Sequence, residues 1–210
     1  MSGGSGPRRL ELPPERLAGW LAGFAERHGE VRSTDEPDRV RLAAADGAVA
    51  EVEVPFPPLP AGVPLVEHAL VERPVGLLLV RRGGFAAGVA AAGRLVSGRT
   101  GTRHVQGRTA AGGWSQQRFA RRREAQAAAL TDAAVRLAVE EVVPHASRLA
   151  GVLTGGDRLL LRHVLTAAPL APLAPLVLDR VLDVADPRRA VLVAAAERAS
   201  RVVVRVHDPA

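Results

Sequence analysis

The chain has 210 residues, 47% of them hydrophobic and only 3% aromatic, so it can form one sizeable domain with an extension, on a core of Leu, Val and Ala. Its net charge is +6, and all 28 basic residues are Arg. The lack of Cys excludes a disulfide framework and a thiolate metal site, and no apolar run is long enough to span a bilayer.

Residues 1–12 read as a disordered leader, since Met1-Ser-Gly-Gly-Ser-Gly-Pro7 lacks the apolar stretch of a signal peptide. A cytoplasmic location is the default. A small α+β extension is expected over 13–70. In it Leu17, Trp20, Leu21 and Phe24 fall at i, i+3, i+4 and i+7, one apolar face of a short helix opened near Pro13-Pro14 and closed before Gly29. Val40–Ala44 and Val49–Val54 flank Asp46-Gly47 and read as a β-hairpin. Pro55-Phe-Pro-Pro-Leu-Pro60 then breaks regular structure and suits a linker. What the extension does, contact with a partner or cover for a sheet edge, is left open by its residues.

The main domain is expected over 71–210. Val75–Arg82, Phe85–Ala91 and Arg94–Arg99 are strand-like runs joined by Gly83-Gly84 and by Gly93, an antiparallel meander. Gly98-Arg-Thr-Gly101 has the GxxG form of an RNA-clamping KH loop, but it lies between strands instead of helices, so that match is rejected. A glycine-bearing arm, expected as a mobile loop over 100–118, runs into an Ala-rich helix from about Ser115 to Val143, which Pro144 ends. The arm places Gln116 and Gln117 at its tip, ahead of the strongly helical run. Beyond it come a strand at Leu149–Thr154 and a helix at Arg158–Thr166 with Asp157 as N-cap. Pro169, Pro172 and Pro175 suit an extended loop. A strand at Val177–Val184, a helix opened by Asp186-Pro187 and a last strand at Val202–Val206 close the chain. Three antiparallel strands followed by strand–helix repeats predict a ribonuclease-H-like mixed α/β sheet.

The charge is unevenly placed. No Asp or Glu occurs between Glu72 and Glu124, an interval that carries Arg73, Arg81, Arg82, Arg94, Arg99, Arg103, Arg108, Arg118, Arg121, Arg122 and Arg123. GC-rich codon usage raises Arg throughout a chain but does not empty acids from one segment. A one-sign block on a folded domain fits a polyanionic partner, with a solvated basic face as the bland alternative. The meander strands and the loop after them hold no carboxylate, so the Mg²⁺ cluster of a nuclease is not expected there. The six His are scattered, and His104 alone lies in the arm, where an RNA contact suits it better than a role as base. A glutamine is no general base, but its amide can orient a water and stabilise developing charge within a site that a larger partner closes.

At Gly112-Gly-Trp-Ser-Gln-Gln-Arg-Phe-Ala-Arg-Arg-Arg123 the sequence resembles the catalytic loop of eukaryotic and archaeal class I peptide release factors. Those carry Gly-Gly-Gln, then Ser, then a helix with Arg-Phe-Ala-Arg. Gly112, Gly113, Ser115 and Arg118 to Arg121 keep that register, whereas Trp114 stands where those factors have their catalytic Gln. This departure resembles the Vms-like release factor family, which includes actinobacterial-type members. The resemblance implies hydrolysis of peptidyl-tRNA on stalled large ribosomal subunits, with the arm in the peptidyl transferase centre. By that analogy Gln116 or Gln117 positions the water, Gly112, Gly113 and Ser115 shape the loop, and Trp114 stacks on a base. Arg99, Arg103, His104, Arg108, Arg118, Arg121, Arg122 and Arg123 then contact RNA. The partners implied are the large subunit's rRNA and peptidyl-tRNA, with no cofactor, metal or membrane. A non-catalytic ribosome-docking factor and a nuclease of the tRNA 3′ end are the competing readings.

Overall fold

The computed structural model describes residues 7–102 and 115–209, and over 115–123 the backbone alone. In chain order the elements are β1 (Arg8–Leu12), α1 (Leu17–His28), β2 (Val31–Asp35), β3 (Arg39–Ala44), β4 (Val49–Glu53), α2 (Leu65–Leu70), β5 (Val75–Arg81), β6 (Gly84–Ala91), β7 (Arg94–Gly101), α3 (Ser115–Glu141), β8 (Gly151–Gly156), α4 (Arg158–Leu165), β9 (Val177–Leu182), α5 (Arg189–Ala199) and β10 (Val202–His207). This is a mixed α/β chain with two five-stranded sheets. It divides into two compact units, Met1–Glu72 with Ser200–Ala210, and Arg73–Ala199.

The first unit is built on an antiparallel sheet of order β1-β10-β4-β3-β2. Alternation turns Val40 and Leu42 of β3, Ala50 and Val52 of β4, and Val204 and Val206 of β10 into one core with Leu17 and Phe24 of α1. The hairpin turns at Asp46-Gly47, with Gly47 at φ +92°. Asp46 accepts hydrogen bonds from Ala48 N at 2.9 Å and from His28 Nδ1 at 2.8 Å, tying the turn to the end of α1.

Three expectations are corrected here. Arg8–Leu12 is not leader but an edge strand, paired with β10 from Arg8↔Val206 to Leu12↔Val202. Val202–His207 does not close the sheet of the main domain; it inserts between β1 and β4. The polar run Val31–Asp35, for which no strand was expected, pairs with β3. Each depends on a partner that a local pattern does not name.

The Ala48 N–H, and after it His28, hold the Asp46 carboxyl below its ordinary range. A depressed carboxyl pKa contributes stability that is fully present above the unfolded value, about 3.9. That contribution is lost as the pH falls through the lower folded value. Asp46→Asn is therefore expected to melt below wild type at neutral pH, with the gap closing at strongly acid pH in parallel thermal scans.

In the second unit the order is β7-β6-β5-β8-β9. β5, β6 and β7 form an antiparallel meander, while β8 and β9 extend β5 in parallel. Leu78, Val80, Phe85, Ala87 and Val89 face α3, α4 and the 3-10 stretch Ala168–Leu176. The alternate residues Leu77, Leu79 and Ala86 are equally buried, and α5 packs on β5, β6 and β7. Both faces of the central strands are thus covered, which is why they read as continuous apolar runs.

α3 is anchored by Leu130, Ala133, Ala134, Leu137 and Ala138, a stripe at i, i+3, i+4, i+7 and i+8. The Pro-spaced segment is a 3-10 helix instead of the extended loop expected from its prolines. Three residues per turn match its repeat of three and set the buried Leu170 and Leu173 on one side.

Candidate functional site

The Gly112–Arg123 motif follows the segment that begins at the end of β7 and extends into the first turns of α3. The root of that segment is tightly packed. Gly101 pairs with Phe85, and a Cβ at Gly101 would lie 2.5 Å from Phe85 Cε2. Phe85 is itself core. Gly101→Ala must displace that ring, with an expected loss of about 1–3 kcal/mol, measured by urea denaturation.

Both ends of the expected loop of 100–118 are regular structure. Thr100 and Gly101 continue β7, and Ser115, Gln116, Gln117 and Arg118 already have helical backbone in α3. The two glutamines therefore occupy the first turn of α3 and do not precede it. Arg103, His104, Arg108, Gly112, Gly113 and Trp114 lie outside the described residues, as do the side chains of Ser115, Gln116, Gln117, Arg118, Arg121, Arg122 and Arg123.

Arg99, expected as an RNA contact, is described in full; its side chain is 55% exposed and lies in an ion-pair cluster. Its Nε donates to Glu141 Oε1 at 2.5 Å, and its Nη2 donates to Glu140. Hydrogen bonds first to Glu141 and then to Glu140 raise its pKa further. Its charge is matched by these two surface carboxylates, and the side chain fastens β7 to the last turn of α3. Residue-by-residue reading missed this because the acids follow Arg99 by 41 and 42 positions, beyond any local pattern.

A set of polar contacts holds the second unit's strands to one another and to the helices. Asp157 accepts from Leu159 N at 2.9 Å and Leu160 N at 3.2 Å, the N-cap of α4. Its own N–H donates to Val80 O at 2.8 Å, which joins the ends of β5 and β8. Arg81 Nη1 donates to Val184 O at 2.5 Å, and its Nε lies 3.9 Å from Asp186 Oδ1. Arg189 Nη1 donates to Gly98 O at 2.6 Å, tying α5 to β7. Asp157 and Asp186 thus serve as cap and as guanidinium partner. Among the described residues no group of three or more His, Asp or Glu is placed to hold a metal ion, and no single helix is long and apolar enough to cross a membrane.

Comparison with known proteins adds a family. The family described as Actinobacteria/chloroflexi VLRF1 release factor matches residues 73–205, more than half of the chain and all of its loop. No curated protein matches it. Among solved structures it is similar to an archaeal translation termination factor, aRF1, at 13% identity and a TM-score of 0.39, over 90% of this chain and 66% of that one. It is also similar to a structure described as an archaeal protein, at 17% identity and a TM-score of 0.32, over 73% of this chain and 48% of the other. The chain spans just under two thirds of the first and about half of the second.

Proposed function

The chain belongs to the Actinobacteria/chloroflexi VLRF1 release factor family, and from that premise we propose that it is a ribosome-dependent peptidyl-tRNA hydrolase that frees nascent chains from stalled large subunits in the cytoplasm. The observation that carries this reading is the family match over 73–205, which spans the loop and the Gly112–Arg123 motif. The second unit is read as a ribonuclease-H-like domain. Its strand order supports that, since β6 alone runs antiparallel to the other four strands.

The chemistry proposed is ester hydrolysis. Water attacks the carbonyl carbon that joins the peptide to the tRNA CCA end, the bond to the ribose oxygen breaks, and a proton passes to that oxygen. Gln116, with Gln117 as the alternative, orients the water through its amide. Gly112, Gly113 and Ser115 let the backbone pass among rRNA bases, and Trp114 stacks on one of them. Arg103, His104, Arg108, Arg118, Arg121, Arg122 and Arg123 meet phosphates. Arg99 is left out of that set, because Glu140 and Glu141 already hold it.

One observation favours a second reading. Trp114 occupies the position of the glutamine that class I factors use, which would suit a factor that docks on ribosomes without hydrolysis. Incubating the protein with stalled large-subunit nascent-chain complexes separates the two. Released peptide with an intact tRNA 3′ end supports the hydrolase. Binding without release favours docking, and a tRNA shortened at its 3′ end means nuclease action.

A further inference from the structure

A second acid-free interval lies outside the loop. Between Asp157 and Asp179 the chain carries Arg158, Arg162 and His163 and no Asp or Glu. α4 turns Leu160, Leu161 and Val164 into the core and leaves Arg158, Leu159, Arg162, His163 and Thr166 exposed. These fall at i, i+1, i+4, i+5 and i+8, a single outward stripe about 12 Å long. Arg82, from the β5–β6 turn, stands at its N-terminal end. The Arg82 side chain is 71% exposed, and its Nε makes a long ion pair of 4.0 Å with Asp157 Oδ2, while Asp157 Oδ1 caps α4. The 3-10 stretch that follows has no charged residue to neutralise the stripe. Arg158 sits in the first turn of α4, where the helix dipole disfavours a cation, so its charge adds nothing to the helix's own stability.

We infer that Arg82, Arg158, Arg162 and His163 form a second RNA-docking surface, one that grips the phosphodiester backbone while the loop after β7 reaches the reacting ester. This rests on the release-factor reading. Arg presents a planar fork of donors that matches phosphate, and an exposed acid-free stripe is the electrostatic complement of a polyanion. Leu159, 65% exposed within the stripe, offers an apolar contact for a ribose or base. A lipid surface fits less well. α4 and the 3-10 stretch together are apolar enough to pass for a bent membrane segment. Leu160, Leu161, Val164, Leu170 and Leu173 are nevertheless buried in the core, which leaves Leu159 alone to insert.

The test titrates the full chain and the Arg82→Gln/Arg158→Gln/Arg162→Gln variant against purified large ribosomal subunits and a labelled rRNA hairpin, over a salt series. Circular dichroism and melting establish that the variant is folded, and Arg162→Glu alone serves as a second variant. The expected result is an affinity loss of about 10-fold or more on both probes, with the plot of log K against log salt shallower by about 2–3. Unchanged affinity and slope overturn the proposal. So does a wild type that binds neither probe, or a loss seen only in a parallel titration of phosphatidylserine vesicles. Release is scored separately. RNA binding that depends on the stripe, without release of peptide, sinks the hydrolase reading and leaves the stripe standing. Release with a variant that binds as wild type sinks the stripe alone.

Discussion

Gln116→Ala is expected to slow peptide release by about 10²–10³-fold, the usual cost of removing one preorganised group that stabilises charge in a transition state. Binding to large subunits, read by co-sedimentation, should stay at the wild-type level, because a neutral amide contributes little to an interface ruled by phosphates. Gln117→Ala is the matched control. Positions 116 and 117 are consecutive in the first turn of α3, and consecutive helical positions leave the axis about 100° apart. The two substitutions therefore should not be equivalent. A large loss at 117 with none at 116 would reassign the water-positioning group. Full release in both variants would end the glutamine mechanism.

The second large effect is on stability. Leu130 is fully buried, the first such anchor among the described side chains of α3. It belongs to the core cluster that includes Leu78, Val80 and Phe85. Leu130→Ala is expected to cost about 2–5 kcal/mol, from lost burial plus the cavity left in a packed core. Leu130→Met, which nearly conserves volume, should cost less than about 1.5 kcal/mol. Asp132→Ala, two residues on at an exposed position, should stay within about 0.5 kcal/mol. Urea midpoints of the three variants give the comparison. A Leu130→Ala protein as stable as wild type would mean that α3 is not held to the sheet by this stripe.

Much of the fold was legible because its causes are local. The apolar face of α1 follows from Leu17, Trp20, Leu21 and Phe24, and the hairpin from Asp46-Gly47. The meander follows from glycine turns between apolar runs, and the start of α4 from Asp157. The prolines of the 3-10 stretch were legible as a repeat of three but assigned to an extended chain, since a three-residue period suits both conformations. At the site the residues could be read but their neighbours could not. Nothing near Arg99 in the sequence is acidic, so it looked like one more cation for RNA until α3 brought Glu140 and Glu141 to it. In the same way Arg158, Arg162 and His163 drew no notice singly and became a stripe once α4 buried its other face.

By itself, then, the sequence determined periodicity, turn chemistry, the acid-free interval and the loop motif, all of which are properties of a contiguous stretch of chain. Only the tertiary structure decided that β10 enters between β1 and β4 and that Arg99 serves as an internal fastener. The backbone hydrogen bonds of a strand edge are the same for any partner. Choice among partners is therefore made by side chains that meet only when distant segments pack.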